Sequence, residues 1–267
     1  MIAPTETAFL GFPLPEGLVE AAALYLARTG AMLMLMPLIG TGASFYGYKV
    51  SLVASVTLVL FTSQGIPLVV TDSWVHFGLL LMREMVIGVA LAFIFHLVVM
   101  GLRVGSEMVG NEMAFTMANS VDPASGESMP LLSRMNETLF FLTLLAMNGH
   151  HWIMRALSES YERAPVGSME YGGNLPDLIT TLFTQLFSAG LAFAAPIVVL
   201  LMMISLTIGL IARAVPQVNI LEMGFSLRVA GGLTAVGLLS PTMAPAMDAL
   251  LQHFMTGLEA GLDAIEI

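Results

Sequence analysis

The sequence predicts an all-α, polytopic protein of a membrane complex, built from long, broken helical hairpins with a re-entrant, plug-like loop. Three observations carry that prediction. First, 57% of the 267 residues are hydrophobic and only 10% are charged, with a mean hydropathy of +0.87. A soluble domain carries about 25% charged residues, so lipid or partner subunits must solvate the surplus apolar surface. Second, Leu178 to Ala212 is 35 residues without Asp, Glu, Lys, Arg or His. One hydrocarbon crossing takes about 20 apolar residues, so the stretch is long for one crossing and short for two. Pro196 near its middle would kink or break a helix, which predicts a broken helix or a tight hairpin of two half-length helices. Third, the nine basic residues are scattered singly along the chain, at Arg28, Lys49, Arg83, Arg103, Arg134, Arg155, Arg163, Arg213 and Arg228. The loop asymmetry of the positive-inside rule is nearly missing. Either partners set the topology, or several segments do not cross a bilayer in the usual way.

Composition also excludes function classes. There is no cysteine, so neither a disulfide framework nor a thiolate metal site can form. A net charge of −10 argues against nucleic acid, which selects basic patches. Met1 to Glu16 has no basic n-region and carries Pro4, Pro13 and Pro15, unlike a cleavable signal peptide.

Taken in order, the chain reads as a single unit, 1–267, with helices over about 16–38, 50–62, 74–102, 131–157, 178–212, 222–239 and 243–265. The first carries Arg28 and the cluster Met32, Met34, Met36 before Pro37. A glycine turn, Gly40 to Gly47, leads to the second, which Gly65-Ile66-Pro67 breaks. The third holds Arg83-Glu84 in its middle. A charge pair among apolar neighbours is costly unless matched, so it is either self-compensating against other helices or a docking site for a partner.

Gly101 to Pro130 is punctuated by Gly101, Gly105, Gly110 and Gly126, by Met108, Met113, Met117 and Met129, and by Glu107, Glu112, Asp122 and Glu127. Gly101-x-x-x-Gly105 permits close helix contact. The rest is too polar for lipid and too apolar for a solvated tail. Two readings stand: a surface loop with amphipathic ends, or a re-entrant loop lining or closing a pore, since irregular backbone at membrane depth must be buried in protein or line a cavity. Methionine is unbranched and adaptable, which suits a seal that yields and re-forms. The helix over 131–157 ends near Asn148-Gly149-His150-His151. Adjacent histidines face different sides of a helix, whereas helical metal pairs are spaced i,i+4, so no metal site is expected. Tyr161 to Pro176 is a polar break. Gly231, Gly232 and Gly237 loosen the next helix, Ser240-Pro241 ends it, and a closing amphipathic helix carries Glu259, Asp263 and Glu266. No Gly-x-Gly-x-x-Gly, Walker-type loop or Gly-x-Ser-x-Gly elbow occurs. The chain therefore reads as no enzyme, with no cofactor.

One ordered set of motifs remains. Ala212-Arg213-x-x-Pro216-Gln217-x-Asn219-Ile220 is followed by Gly224-Phe225-Ser226-Leu227-Arg228. Upstream lie Arg83-Glu84-x-x-x-Gly88, Gly101 to Gly110, Asp122-Pro123, Asn148-Gly149-His150-His151 and Pro165-Val166-Gly167. Together they resemble the FliR/SctT family of type III secretion export-gate subunits, over about residues 20–240. That family favours Gly-Phe-Pro-Leu-Lys where this chain has Ser226 and Arg228. The resemblance implies a non-enzymatic subunit, present in one copy, that completes a helical channel with FliP-like and FliQ-like subunits. Unfolded flagellar proteins would pass through it at the bacterial inner membrane, at the flagellar basal body. FlhA-like and FlhB-like gate proteins, rod proteins and membrane lipid would be further contacts. The family's plug would correspond to about residues 106–126, with Ser106, Met108, Gly110, Met113, Met117, Asp122, Pro123 and Gly126. Arg83, Glu84, Arg213, Pro216, Gln217, Asn219 and Gly224 would serve subunit interfaces. An injectisome export-gate subunit is the nearest alternative. A stand-alone secondary transporter with its site at Pro196 is a distant one, since such folds pair two broken segments.

Overall fold

In a computed structural model, residues 8–9, 12–13, 15–37, 46–71, 73–113, 131–168, 175–215 and 220–265 are described. Among them the chain is all-α apart from a two-residue antiparallel pair, β1 (Ala8–Phe9) with β2 (Phe12–Pro13). The helices are α1 (Leu18–Leu35), α2 (Tyr46–Ser63), α3 (Trp74–Glu112), α4 (Leu131–Ala146), α5 (Gly149–Arg163), α6 (Leu175–Ala214) and α7 (Ile220–Ile265). Three of them, α1, α3 and α6, are long and apolar enough to span a membrane.

The residues form two compact units. One comprises 1–96, 151–179 and 257–267, the other 97–150 and 180–256. In the first unit α1 begins after Gly17, whose φ of 84° is the left-handed conformation that glycine adopts at no steric cost. Val69 donates its N–H to the Gly17 carbonyl at 3.3 Å, and a side chain at Gly17 would run into the Val69 backbone. α1 stops at Met36 because the residue before a proline is driven to extended geometry, here φ −70°, ψ 125°. α2 packs against α1, with the Tyr25 ring edge-on to Phe61 at 5.3 Å. α3 starts where the Ser73 hydroxyl accepts the His76 N–H at 3.2 Å, an N-cap that satisfies one orphan donor of the first turn.

In the second unit α3, α4, α6 and α7 enclose an apolar cluster of Val109, Met113, Leu132, Ala194, Ile197, Leu201 and Ala235.

Four sequence expectations need correction. α6 is one continuous helix of 40 residues with Pro196 inside it, not a broken helix or hairpin. A proline removes one N–H bond and crowds one carbonyl, while the flanking Ala194, Ile197 and Leu201 are buried in the apolar cluster. α7 likewise runs unbroken from Ile220 to Ile265 through Ser240-Pro241, where two helices are predicted. Conversely, the single helix over 131–157 is two. Asn148 has φ 58°, a conformation that Asn and Gly favour at helix ends, and it separates α4 from α5. Finally α3 does not end near Leu102 but continues to Glu112, which takes the first part of the expected loop into a helix.

Candidate functional site

Among the described residues, the most polar construction is a buried clamp in the first unit. Arg28 projects from α1 and Glu84 from the first third of α3, and both are fully buried. A lone buried charge would cost several kcal/mol, so each must be matched. Arg28 Nε donates to Glu84 Oε2 at 2.6 Å, and Nη2 lies 2.6 Å from the same oxygen. Nη1 donates to the Ser160 carbonyl at 2.6 Å and Nη2 to the Ala164 carbonyl at 2.8 Å. Those carbonyls lie at the C-terminal end of α5, where the macrodipole favours a cation. The Ser160 carbonyl also accepts the Ala164 N–H at 3.0 Å, and helix-end acceptors such as the Ala164 carbonyl lack intrahelical partners. Arg28 is thus both counter-ion to α3 and cap to α5.

Neighbouring groups complete the clamp. The Arg28 guanidinium carbon sits 4.4 Å above the Tyr161 ring centroid, a cation–π contact. Tyr161 stacks on Tyr25 at 4.3 Å, donates its hydroxyl to the Tyr25 carbonyl at 3.0 Å, and stands 2.9 Å from the Thr29 hydroxyl. Burial pushes the Tyr161 phenol well above its ordinary value. Arg83 Nη1 reaches the other Glu84 oxygen at 2.9 Å and the Pro165 carbonyl at 3.3 Å. Gly88, one turn beyond Glu84, lacks the side chain that would collide with the Arg28 carbonyl and meet Ala31. This absence lets α1 come close enough for Arg28 to reach Glu84. Arg83-Glu84-x-x-x-Gly88 and Pro165-Val166-Gly167 therefore converge on one structure.

Glu84 accordingly serves its own chain: its carboxylate is enclosed and holds two arginines, so the docking-site reading of Arg83-Glu84 gives way to an internal one. The sequence reading missed Arg28 as the partner. A signal existed, because Arg28 is a single charge inside an apolar helix and such a residue requires a partner.

The second unit holds its helices differently. Gly101 and Gly105 on α3 face Gly190 on α6. A side chain on Gly105 would collide with the Gly190 carbonyl, and one on Gly190 with the Gly101 carbonyl, the close backbone contact that small-residue spacing permits. Polar bonds tie α3 to α4: Asn136 Nδ2 donates to the buried Ser106 hydroxyl at 2.9 Å, and Arg103 Nη2 lies 3.0 Å from Glu137 Oε2.

Of the expected plug residues, Ser106, Met108 and Gly110 sit on α3, and Met113 directly follows it. Met113 is fully buried in the apolar cluster, its thioether occupying the space that a side chain at Gly232 would need. These four belong to the packed interior, so a plug cannot start at Ser106. Met117, Asp122, Pro123 and Gly126 lie outside the described residues, as do Pro216, Gln217 and Asn219. Arg213 stands exposed in the last turn of α6. Gly224 is buried on α7 against Ile208. Among the described residues no three His, Cys, Asp or Glu side chains gather as metal ligands would.

What remains is apolar surface. In the most apolar window of α6 only 28% of residues are buried, against 61% in α3. Phe183, Phe187, Leu191, Val199, Met202, Met203, Leu206 and Leu210 of α6 are all exposed. A helix so apolar and so uncovered belongs in lipid or against other chains. Fold and site together define a helical membrane protein whose buried charges hold its own helices and whose apolar faces are left open. The chain belongs to the family of bacterial export proteins, family 1, whose model matches residues 19–254. It is 32% identical to the flagellar biosynthetic protein FliR of Escherichia coli over 166 residues, 62% of this chain and 64% of that protein. That match spans slightly under two thirds of the Escherichia coli relative. It is 28% identical to FliR of Pectobacterium carotovorum over 79% of this chain and 83% of the relative. For FliR of Caulobacter vibrioides the identity is 26% over 82% and 88%. The family model and these flagellar relatives bear out the resemblance read from the motifs.

Proposed function

We propose that this chain is a non-enzymatic subunit of the flagellar protein export gate. It completes a helical channel with FliP-like and FliQ-like subunits at the inner membrane, within the basal body, and unfolded flagellar proteins pass through that channel. The observation that carries this reading is α6, whose exposed apolar residues the chain does not cover by itself. A groove of about 400 Å³ in the first unit, lined by apolar side chains of α3 from Met82 to Phe93 and by Ile179 of α6, offers a second surface for a partner helix. The flagellar names of the relatives favour this branch over an injectisome gate. The plug role falls to the segment after Met113, which includes Met117, Asp122, Pro123 and Gly126. FlhA-like and FlhB-like proteins and the rod are further neighbours.

The test is native mass spectrometry of the detergent-extracted chain, co-expressed with its FliP-like and FliQ-like neighbours. One copy inside a defined hetero-oligomer is expected. A stable monomer or homodimer that ignores those subunits overturns the reading. In the assembled complex, deleting residues 116–124 should leave subunit composition unchanged and raise ion conductance. Unchanged conductance removes the plug assignment alone.

A further inference from the structure

We propose that the elbow between α2 and α3, residues 64–75, seats at the boundary between headgroups and acyl chains of a lipid bilayer and fixes the depth of α3. Ile66, Leu68, Val70 and Trp74 are the side chains that enter it. α2 closes in a Schellman turn. Gly65 takes the left-handed conformation at φ 82° and donates its N–H to the Thr62 carbonyl at 3.3 Å, while Ile66 donates to the Phe61 carbonyl at 3.2 Å. Ile66 repeats the left-handed conformation at φ 56°, which a β-branched side chain rarely adopts. Its side chain is also exposed. Glycine or asparagine would hold this turn with less strain. The isoleucine therefore serves a contact rather than the turn, as strained residues at working surfaces do.

Beyond Ile66 exposure alternates: Leu68 and Val70 are exposed, Pro67, Val69 and Thr71 half-buried, the two-residue period of an extended chain. Val69 pins the register. Its N–H reaches the Gly17 carbonyl at 3.3 Å, and its side chain lies where one at Gly167 would meet it. With Val69 held inward, Leu68 and Val70 both point outward. Trp74 then opens α3 at 91% exposure, at the first residue of a helix long and apolar enough to span a membrane. From Val75 an exposed apolar stripe runs along α3 through Leu79, Met82, Val86, Val89 and Phe93. It rises about 27 Å, close to the roughly 30 Å of a hydrocarbon layer. Whether lipid or a partner helix lies along it, Trp74 stands at the end of a surface of membrane depth. Indole rings, with an apolar body and a donor N–H, collect at that level. Around the apolar side chains stand the uncharged polar residues Thr62, Ser63, Gln64, Thr71 and Ser73, and from Val50 to Met82 the only ionised residue is Asp72. A protein surface covering the elbow would strip water from those polar groups, at a cost. The bilayer boundary hydrates them and buries the apolar side chains. With no basic residue there, the elbow selects the boundary itself and not an anionic headgroup.

The inference goes beyond the export-gate reading and is tested on the full-length chain. Trp74 and Trp152 are its only tryptophans, so Trp152→Phe leaves Trp74 as the sole reporter. That variant is reconstituted into phosphatidylcholine bilayers brominated either near the headgroup end or near the middle of the acyl chain. Bromine near the headgroup should quench Trp74 the more strongly, and equally so when phosphatidylglycerol is mixed in. Leu68→Ser with Val70→Ser, both at exposed positions, should shift Trp74 emission to the red and abolish the difference between the two brominated lipids, with helical content kept. Ile66→Asn should raise the melting temperature in detergent and yet weaken the shallow quenching, a split that a purely structural role for Ile66 would not produce. Trp74 unquenched by either lipid, quenching strongest at mid-chain, or an unchanged pattern in the double serine variant overturns the anchor. So does quenching in the isolated chain that disappears in the complex with co-expressed FliP-like and FliQ-like subunits, which would assign the elbow to a protein surface.

Discussion

The two compact units solve one problem in opposite ways. Helices in an apolar chain gain little from the hydrophobic effect when lipid is the alternative, so something else must fix their positions. In the first unit it is charge: Arg28, Glu84 and Arg83, with the carbonyls of Ser160, Ala164 and Pro165 as acceptors. In the second it is the absence of side chains, at Gly101, Gly105 and Gly190. The clamp is specific because a buried charge tolerates only a geometry that matches it. The glycine contact is specific because only bare backbone fits. The first fails when a partner is removed, the second when an atom is added.

That contrast sets an order of effects. Glu84→Gln leaves the Arg28 guanidinium buried without a counter-ion and should cost the most, about 3–5 kcal/mol, read as a drop in the melting temperature of the detergent-solubilised protein by tryptophan fluorescence. A loss no larger than that of a surface substitution would show that the clamp does not hold α1, α3 and α5 together. Gly190→Ala adds one methyl group where the Gly101 carbonyl already stands and should cost about 1–3 kcal/mol, as overpacking does. If it is neutral, the backbones in the second unit can part without penalty and the comparison collapses.

Tyr161 sharpens the comparison at the smallest scale. Its phenol is raised by burial, so the folded state keeps it neutral where an unfolded chain would begin to ionise it, at about pH 10. The stabilisation is complete below that pH and is lost as pH rises through and beyond it. Melting temperature should therefore fall more steeply above about pH 10 in the native protein than in Tyr161→Phe. At neutral pH the substitution should cost about 1 kcal/mol for the lost hydrogen bonds. Parallel alkaline profiles would mean that water reaches the clamp.

Much of the candidate site was legible, and the illegible part has a pattern. Arg83-Glu84 and Gly88 could be singled out because charge and glycine are conspicuous in an apolar helix. Arg28 was conspicuous in the same way, as a lone charge in an apolar helix, but its pairing with Glu84 was not legible, because the two lie 56 residues apart and no local periodicity links them. Ser106, Met108, Gly110 and Met113 looked like loop because glycine, methionine and glutamate follow one another there. In the fold that run is helix, with Met113 closing a core whose other residues come from α4, α6 and α7.

By itself the sequence determined the all-α class, the membrane-type composition, most helix starts and the family. These rest on properties that each segment carries alone: apolar length, charge content, and motif order. Only the tertiary structure decided whether a breaker breaks. Pro196 leaves α6 whole, while Asn148 divides α4 from α5. A proline costs about 3 kcal/mol in a helix interior, and the packing of Ala194, Ile197 and Leu201 on residues distant in sequence is of the size that can outweigh it. A propensity is fixed within a turn of helix, but the contacts that overrule it exist only once the chain has folded.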